Sequence, residues 1–591
     1  MSLASQLATL ESTGLIRLAA TLPEVEYWFR HTLVQEAAYD SLVKSSRRQL
    51  HRWVGEALES LYPGALGSRD LAPLLAKHFD EAGDTRRALG YFTRAGDAAA
   101  AVYANAEAVM HFTRALELAR QSEADSDAVC HLYLGIGRAL ELSAQDDRAL
   151  MNYGEMEIAA RERTDQSMEI AALLARATVY LKPTIVRDPE RGRELSERAL
   201  ALSRESGDRP SEAKALWNLM QFYKWTGQSA QAMAHAEQAL AIARELDLRE
   251  LMAYVLNDLA PLCLVDGRFQ RAREVVDEAQ RLWRELGVLN MLTDSLASAA
   301  ELRVMAGQYD AAFALSGEAL RISQSIGNLW NQSYSWYLID LAFLDRGEID
   351  RAIEASEEGL RLGQQAGFLA GVVQAGFDLT LIYRSLGAAQ RAAEAAERVR
   401  HASQDLTLIG PLRQVMSAQL SLLGGDLRAA RRALDEARRS AGGEPLVAYA
   451  AWFVGLTEAE LLLAEGDYAR VVSVVDEAIP FFRQTGIRLF LADVLYDKGV
   501  ALLRLGRADE AGDTLAQARA EAEGVGSRRM LWRILAALGE IEGRRGRHAE
   551  AESLRRQARE VLMFIVGRTP PDLRDSFLSL PEARAALGQA S

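Results

Sequence analysis

A chain of 591 residues with 49% apolar and 25% charged side chains can bury a large core, and its length corresponds to about four average domains. It has no apolar run of the ~18 residues a spanning helix needs and no basic-then-apolar leader, and its two cysteines, Cys130 and Cys263, lie outside any CxxC. These features argue against a membrane span, a disulfide framework and a sulfur-based zinc site, and the net charge of −14 works against polyanion binding, so a cytoplasmic protein is expected.

In chain order, Leu3 to Leu10 reads as a short helix, and the apolar runs Gly14 to Leu18 and Glu24 to Arg30 read as a β-hairpin turning at Leu22-Pro23. Two helices follow, one in Phe29 to Leu42 and one in Arg47 to Leu58, and residues 1–65 form one region. Residues 66–210 are helical but irregular. Gly83-Asp84 leads to Ala88 and Phe92, Asn105 and Ala108 to Phe112 and Ala115, Ala149 to Tyr153, and Arg187 to Ala199 and Leu200.

From 211 to 565 a regular beat takes over. Gly227, Gly267, Gly307, Gly347 and Gly387 are 40 residues apart, and Gly425, Gly466, Gly506 and Gly546 continue at steps of 38, 41, 40 and 40. Five residues after each glycine stands Ala232, Ala272, Ala312, Ala352, Ala392, Ala430, Val471, Ala511 or Ala551, so another backbone must pass close there. Ala239, Ala279, Ala319, Gly359, Val399, Ala437, Ala478, Ala518 and Ala558 form a second small column on the same helix face. Each unit is therefore a helical hairpin with a left-handed glycine between its helices. One hairpin cannot bury its own apolar face, so the units must stack. Residues 566–591 read as a closing helix after Pro570-Pro571.

The hairpin pattern resembles the tetratricopeptide repeat (TPR). The resemblance rests on Leu219, Met220 and Tyr223 before Gly227, and on Ala232, Ala236 and Ala239 after it. It implies an all-α fold: a right-handed TPR-like α-solenoid of about 13 helical hairpins with a small winged-helix-like remnant at its N-terminus. The aromatic column weakens to Cys263, Arg303, Ser421, Leu462, Leu502 and Glu542, and the 40-residue period is longer than the family's usual length. Residues 29–58, with His78 to Asp84, Ala95 to Ala99, Ala108 and Leu118, resemble the segment that joins a winged helix to the TPR array in bacterial signal-transduction ATPases with numerous domains (STAND). Such chains often carry a cyclase, a kinase or a DNA-binding effector. The phosphate-binding GxxxxGK[ST] of that family is absent here, so no ATP hydrolysis by this chain alone is expected.

No HExxH, GxSxG, GxGxxG or metal-ligand spacing occurs, and a non-enzyme without cofactor or metal is expected. The anticipated working surface is the concave face lined by the first helix of each hairpin. It takes in Trp217, Asn218, Asn257, Asp258, Tyr337, Phe377, Asp378, Tyr496 and Asp497, extended a turn further back by Tyr254, Asp294, Tyr334, Trp452 and Trp532. Aromatic anchors with carboxylates suit a peptide or protein partner that carries cationic and apolar side chains. Packing between repeats is the competing role for these aromatics. By resemblance, His31 is a candidate sensor of nucleotide phosphates on a nucleotide-binding domain in cis or trans; capping the following helix is its alternative. The cluster Lys44, Arg47, Arg48, His51 and Arg52 could touch nucleic acid, but the first helical segment, Ser2 to Thr13, has no lysine or arginine, which disfavours DNA reading. The expected function is an interaction or sensor scaffold in bacterial signalling, with the regulatory arm of a STAND-type ATPase or transcriptional regulator as the alternative.

Overall fold

The computed structural model describes residues 2–20, 25–122, 124–182, 184–402, 410–440 and 448–588, which are helical almost throughout. They fall into two compact units, Met1–Met168 and Glu169–Ser591.

The first unit opens with the helix Leu3–Ser12 and the antiparallel strands Ile16–Ala20 and Glu26–Phe29, with Ile16 opposite Phe29 and Leu18 opposite Tyr27. The expected hairpin is thus present; its turn at Leu22-Pro23 lies outside the described residues. Two strands alone make a marginal sheet, and this pair buries little: Ile16 is enclosed while Leu18, Trp28 and Phe29 are exposed. Helices Thr32–Asp40 and Lys44–Leu61 follow with only Gly55 buried. His51 joins the second of these to Leu71–Ala82, its Nδ1 lying 2.9 Å from Nδ1 of His78 and its Nε2 3.0 Å from the Tyr39 hydroxyl. From Leu71 onward the helices pack in earnest, with Leu75, Phe79 and Phe112 fully enclosed.

The second unit is the regular α-solenoid. Its hairpins pair helices such as Arg209–Trp225 with Ser229–Glu245 and Leu289–Met305 with Tyr309–Ser325, each of 17 residues. The turn glycines take the left-handed conformation, with φ of 83° at Gly227 and 70° at Gly307, and the next amide reaches back over the turn: Gln228 N–H donates to the Tyr223 carbonyl at 2.9 Å. A second set, Gly287, Gly327, Gly367, Gly486 and Gly526, closes the other helix of the hairpin. Both connections are therefore tight, and the 40-residue beat consists of two nearly equal halves. The first small column is buried without exception, Ala232, Ala272, Ala312, Ala352, Ala392, Ala430, Val471, Ala511 and Ala551 all being 0% exposed. Larger side chains there would separate the two helices of each hairpin.

Beyond neighbour-on-neighbour stacking, the solenoid coils tightly enough to touch itself. The turn at Thr184 forms a bridge with Phe368, the Met305 carbonyl accepts the amides of Arg488 and Leu489 at 2.8 and 3.0 Å, and Asp345 accepts Ser527 Oγ at 2.7 Å. Each contact joins segments about 183 residues apart, so successive coils meet after roughly four and a half repeats. The Asp345 contact is a buried network: its carboxylate also accepts Tyr309 Oη at 2.6 Å and Arg529 Nε at 3.1 Å, while Arg529 grips Asp493 through both terminal nitrogens at 2.6 and 2.8 Å.

Gly307 sits in this ladder. A Cβ there would lie 2.4 Å from Val525 Cγ1, whereas Gly506, also left-handed at φ 77°, has open space around it. Gly506→Ala should therefore show only the backbone strain of about 1–2 kcal/mol. Gly307→Ala should lose more than that and shift the denaturant midpoint further, and equal losses would mean that the coil contact adjusts freely.

The interior surface of the solenoid

On the first helices of successive hairpins in the second unit, residues 13, 10, 6 and 3 before each turn glycine fall on one face, the one expected to line the interior. In the hairpin closed by Gly227 these positions include Lys214, Trp217, Gln221 and Lys224. Trp217 Nε1, Gln221 Nε2 and Lys224 Nζ all donate to Asp258 of the next hairpin, the first at 2.9 Å and the lysine at 2.7 Å. The Lys214 ammonium lies 3.8 Å from the Trp217 ring centroid and 5.2 Å from that of Tyr254. Here the chain fills its own aromatic and carboxylate site with its own lysines.

One hairpin on, the pattern changes. Asn257 Nδ2 donates to Asp294, and its carbonyl oxygen accepts Ser295 Oγ at 2.6 Å. Tyr334 Oη is 3.0 Å from Ser298 Oγ, and Tyr337 stands edge-on to Tyr334. Burial, reinforced by the Asp258 carboxylate, pushes the Asp294 carboxyl up to about 6, and burial alone pushes Glu301 up to about 7. Both phenols are held well above their ordinary range by burial and by Glu301 and Asp294. Glu301 and Asp294 are only partly exposed.

Further along, the interior is richer in ion pairs. Arg384 meets Glu460 in a two-pronged contact at 2.6 and 3.0 Å, across 76 residues. The Arg384 guanidinium overcomes the burial of Glu460 and lowers its carboxyl. Asp493 behaves differently: burial outweighs the pull of Arg529 and raises it. Asp497 is also raised by burial and by the neighbouring Glu460 and Asp493, with the Arg533 guanidinium opposing them.

The residues singled out from sequence divide accordingly. Tyr254, Asp258, Asp294, Tyr334, Trp452 and Tyr496 keep some exposed surface. Trp217, Asn257, Tyr337 and Asp497 border the interior but are almost enclosed. Asn218 is fully buried, donating to the Leu174 carbonyl and accepting Thr178 Oγ1, so it joins neighbouring hairpins. Phe377 and Asp378 are each 1% exposed, the ring edge-on to Phe453. Trp532 is packed edge-on to Phe577. It stands one residue short of the inward column, which is held there by Arg533. Sequence reasoning passed over Glu301, Arg384, Glu460, Asp493 and Arg533; Asp493 and Arg533 stand in the column thirteen before the glycine, and continuing the columns toward the glycine would have reached the other three.

His31 is exposed at the start of Thr32–Asp40 and makes no capping hydrogen bond. Arg47 is engaged by Asp40 at 3.2 Å and by the Leu42 carbonyl. Among the described residues no three His, Cys, Asp or Glu side chains converge as metal ligands, and no helix is long and apolar enough to cross a membrane.

A family model described as "MalT-like TPR region" matches residues 212–531. No curated protein is a significant match. Among solved structures, the chain is similar to a Rap protein complexed with Competence and Sporulation Factor, at 14% identity and a TM-score of 0.43, over 68% of this chain and 99% of that one. It is similar to the APC/C hetero-tetramer Cut9-Hcn1 at 13% identity and 0.47, over 89% and 96%. A STAND protein with a tetratricopeptide repeat sensor from Pyrococcus horikoshii gives 14% and 0.41, over 69% and 60%. Such identities speak to fold alone.

Proposed function

Because the chain belongs to the family of MalT-like TPR regions, we propose that it works as a protein-interaction and sensor scaffold in signal transduction, without chemistry of its own. The partner, a protein or peptide, binds on the interior face through Tyr254, Asp258, Asp294, Tyr334 and Tyr496. The observation that carries this reading is the self-occupied site at Lys214, Trp217 and Tyr254. There Lys214 lies over the Trp217 and Tyr254 rings while Lys224 reaches Asp258, which supports a surface suited to cations beside aromatic rings and carboxylates. Peptides selected by display against the full chain, and measured by calorimetry without nucleotide, test it. Micromolar dissociation constants (about −8 kcal/mol) that weaken at least tenfold in Tyr254→Ala are expected. Selected peptides that are indifferent to the interior substitution would refute the reading.

A second reading, that the chain is the regulatory arm of a nucleotide-binding domain, draws support from the first unit. Leu3, Trp28, Leu33 and Trp53 are 55 to 77% exposed there, more large apolar surface than a lone module of this size usually shows. His31 would then face the nucleotide. A supplied STAND-type nucleotide-binding domain should change its ATPase rate on addition of the chain, and His31→Ala should diminish that change; an unaltered rate would remove this reading.

A further inference from the structure

The antiparallel strands Ile16–Ala20 and Glu26–Phe29 of the first unit form a sheet of two, so the second strand has an outer edge. Arg30 N–H donates to the Leu15 carbonyl at 3.0 Å, which makes residues 15 and 30 a hydrogen-bonded pair. Such pairs alternate along an antiparallel ladder. Trp28, opposite Arg17, therefore also turns its amide and carbonyl toward the first strand, while Tyr27 and Phe29 turn theirs away. Among the described residues no hydrogen bond reaches these outward groups. Edges of this kind are usually blunted by lysine, by proline or by a covering element. Here the edge carries Val25, Trp28 and Phe29, all exposed.

The edge is also complementary to itself. Strand residues alternate between faces, so Glu26, Trp28 and Arg30 share one face, where Arg17 lies over the Trp28 ring at 5.5 Å. Tyr27 and Phe29 share the other, opposite Leu18 and Ile16. Among the described residues neither Glu26 nor Arg30 has an ion pair in its own chain. We propose that this edge is a dimer interface, at which two copies of the chain join their strands Glu26–Phe29 antiparallel about a two-fold axis at Trp28.

In that register Tyr27 meets Phe29 of the second copy as a hydrogen-bonded pair, which uses the very groups that point outward. Trp28 meets Trp28 of the second copy between the two Arg17 side chains, and Glu26 meets the opposite charge of Arg30. An axis one residue away would set Trp28 opposite a charged residue instead. On the other face, Ile16 and Phe29 continue into Tyr27 and Leu18 of the second copy as one apolar row. The product is a four-stranded sheet. A sheet of two is marginal, and three or more strands with an apolar face are needed for stability of its own. The inference stands apart from the interior surface of the second unit, so a chain that cannot dimerise should still bind the displayed peptides.

Sedimentation velocity on the full chain is the test, and a dimer with a micromolar dissociation constant is expected. Glu26→Arg and Arg30→Glu should each weaken it about tenfold or more, because each sets like charges opposite one another twice per dimer. The combined Glu26→Arg/Arg30→Glu chain should return to within about threefold of the original. Phe29→Pro removes an outward N–H and spares the ladder to the first strand, so it should abolish the dimer at unchanged helicity. Under mild oxidation Trp28→Cys should cross-link two chains and Glu26→Cys should not, since only residue 28 meets its own copy, with Cα atoms about 4.5 Å apart. The unsubstituted chain, with Cys263 buried and Cys130 half-buried, is the control. A chain still monomeric at about 100 μM, reversals without effect, no recovery in the double reversal, or equal cross-linking at both positions would each overturn the inference. A monomer that nevertheless altered the ATPase rate of a nucleotide-binding domain would assign the Trp28 face to that domain and overturn it likewise.

Discussion

Arg529→Met is expected to destabilise the second unit by about 3–5 kcal/mol, because it leaves Asp345 and Asp493 as buried carboxylates without their shared cation. The loss should appear first as local opening. The amides of Arg488 and Leu489, which hydrogen-bond to the Met305 carbonyl 183 and 184 residues away, should exchange faster while the hairpins stay folded. Adding Asp345→Asn and Asp493→Asn should restore much of the stability, since the cost comes from uncompensated charge and not from lost attraction. The exposed pair of Arg519 and Glu523 should by contrast be removable without measurable effect. Denaturant midpoints together with hydrogen exchange would check the series, and unchanged exchange at Arg488 would show that the network does not hold the coils together.

The opposite sign is expected at Glu301 and Asp294. Their carboxyls stand at about 7 and 6 in the folded chain, above the ordinary values of 4.5 and 3.8. A raised folded pKa favours the protonated form, so the burden on stability is absent below about pH 4, grows as pH rises through the interval to 7, and is complete above it. Glu301→Gln and Asp294→Asn should therefore stabilise the unit by on the order of 1–2 kcal/mol each at pH 8, with little change at pH 4.5, after allowing for the amide's own need of hydrogen-bond partners. Unfolding curves at the two pH values give the comparison. A gain that is the same at both would place its origin in packing and not in charge.

Local features of this fold were legible because they repeat. The glycine at each turn recurs nine times, with alanine five residues later in eight units and Val471 in the ninth, and each is demanded by contacts within one hairpin. The coil-to-coil ladder was not legible, because Met305 and Asp345 stand at the same place in successive repeats but differ in chemistry, and they meet partners far off in sequence. The interior columns were legible in part. Asp294 and Tyr334 follow the regular spacing, but Trp532, like Trp452, stands one residue out of phase, and a single residue turns a side chain about 100° around a helix. That rotation moves the indole into the core beside Phe577 and leaves Arg533 facing inward. At Asn218 and Phe377 the spacing was right but the neighbouring hairpin approached more closely than a one-dimensional pattern can indicate.

Repeat proteins commonly lengthen or shorten by whole units, since each unit needs only its two neighbours. Contact between coils removes that freedom here. Excising one 40-residue unit from between Asp345 and Ser527 would bring Gly567 to the place of Ser527, and Thr569 to the place of Arg529 opposite Asp345. Duplicating a unit would shift every rung in the other direction. The number of repeats in this stretch is thus a fixed dimension of the molecule, as constrained as a side chain in its core, and evolution by gain or loss of units is confined to the ends of the array.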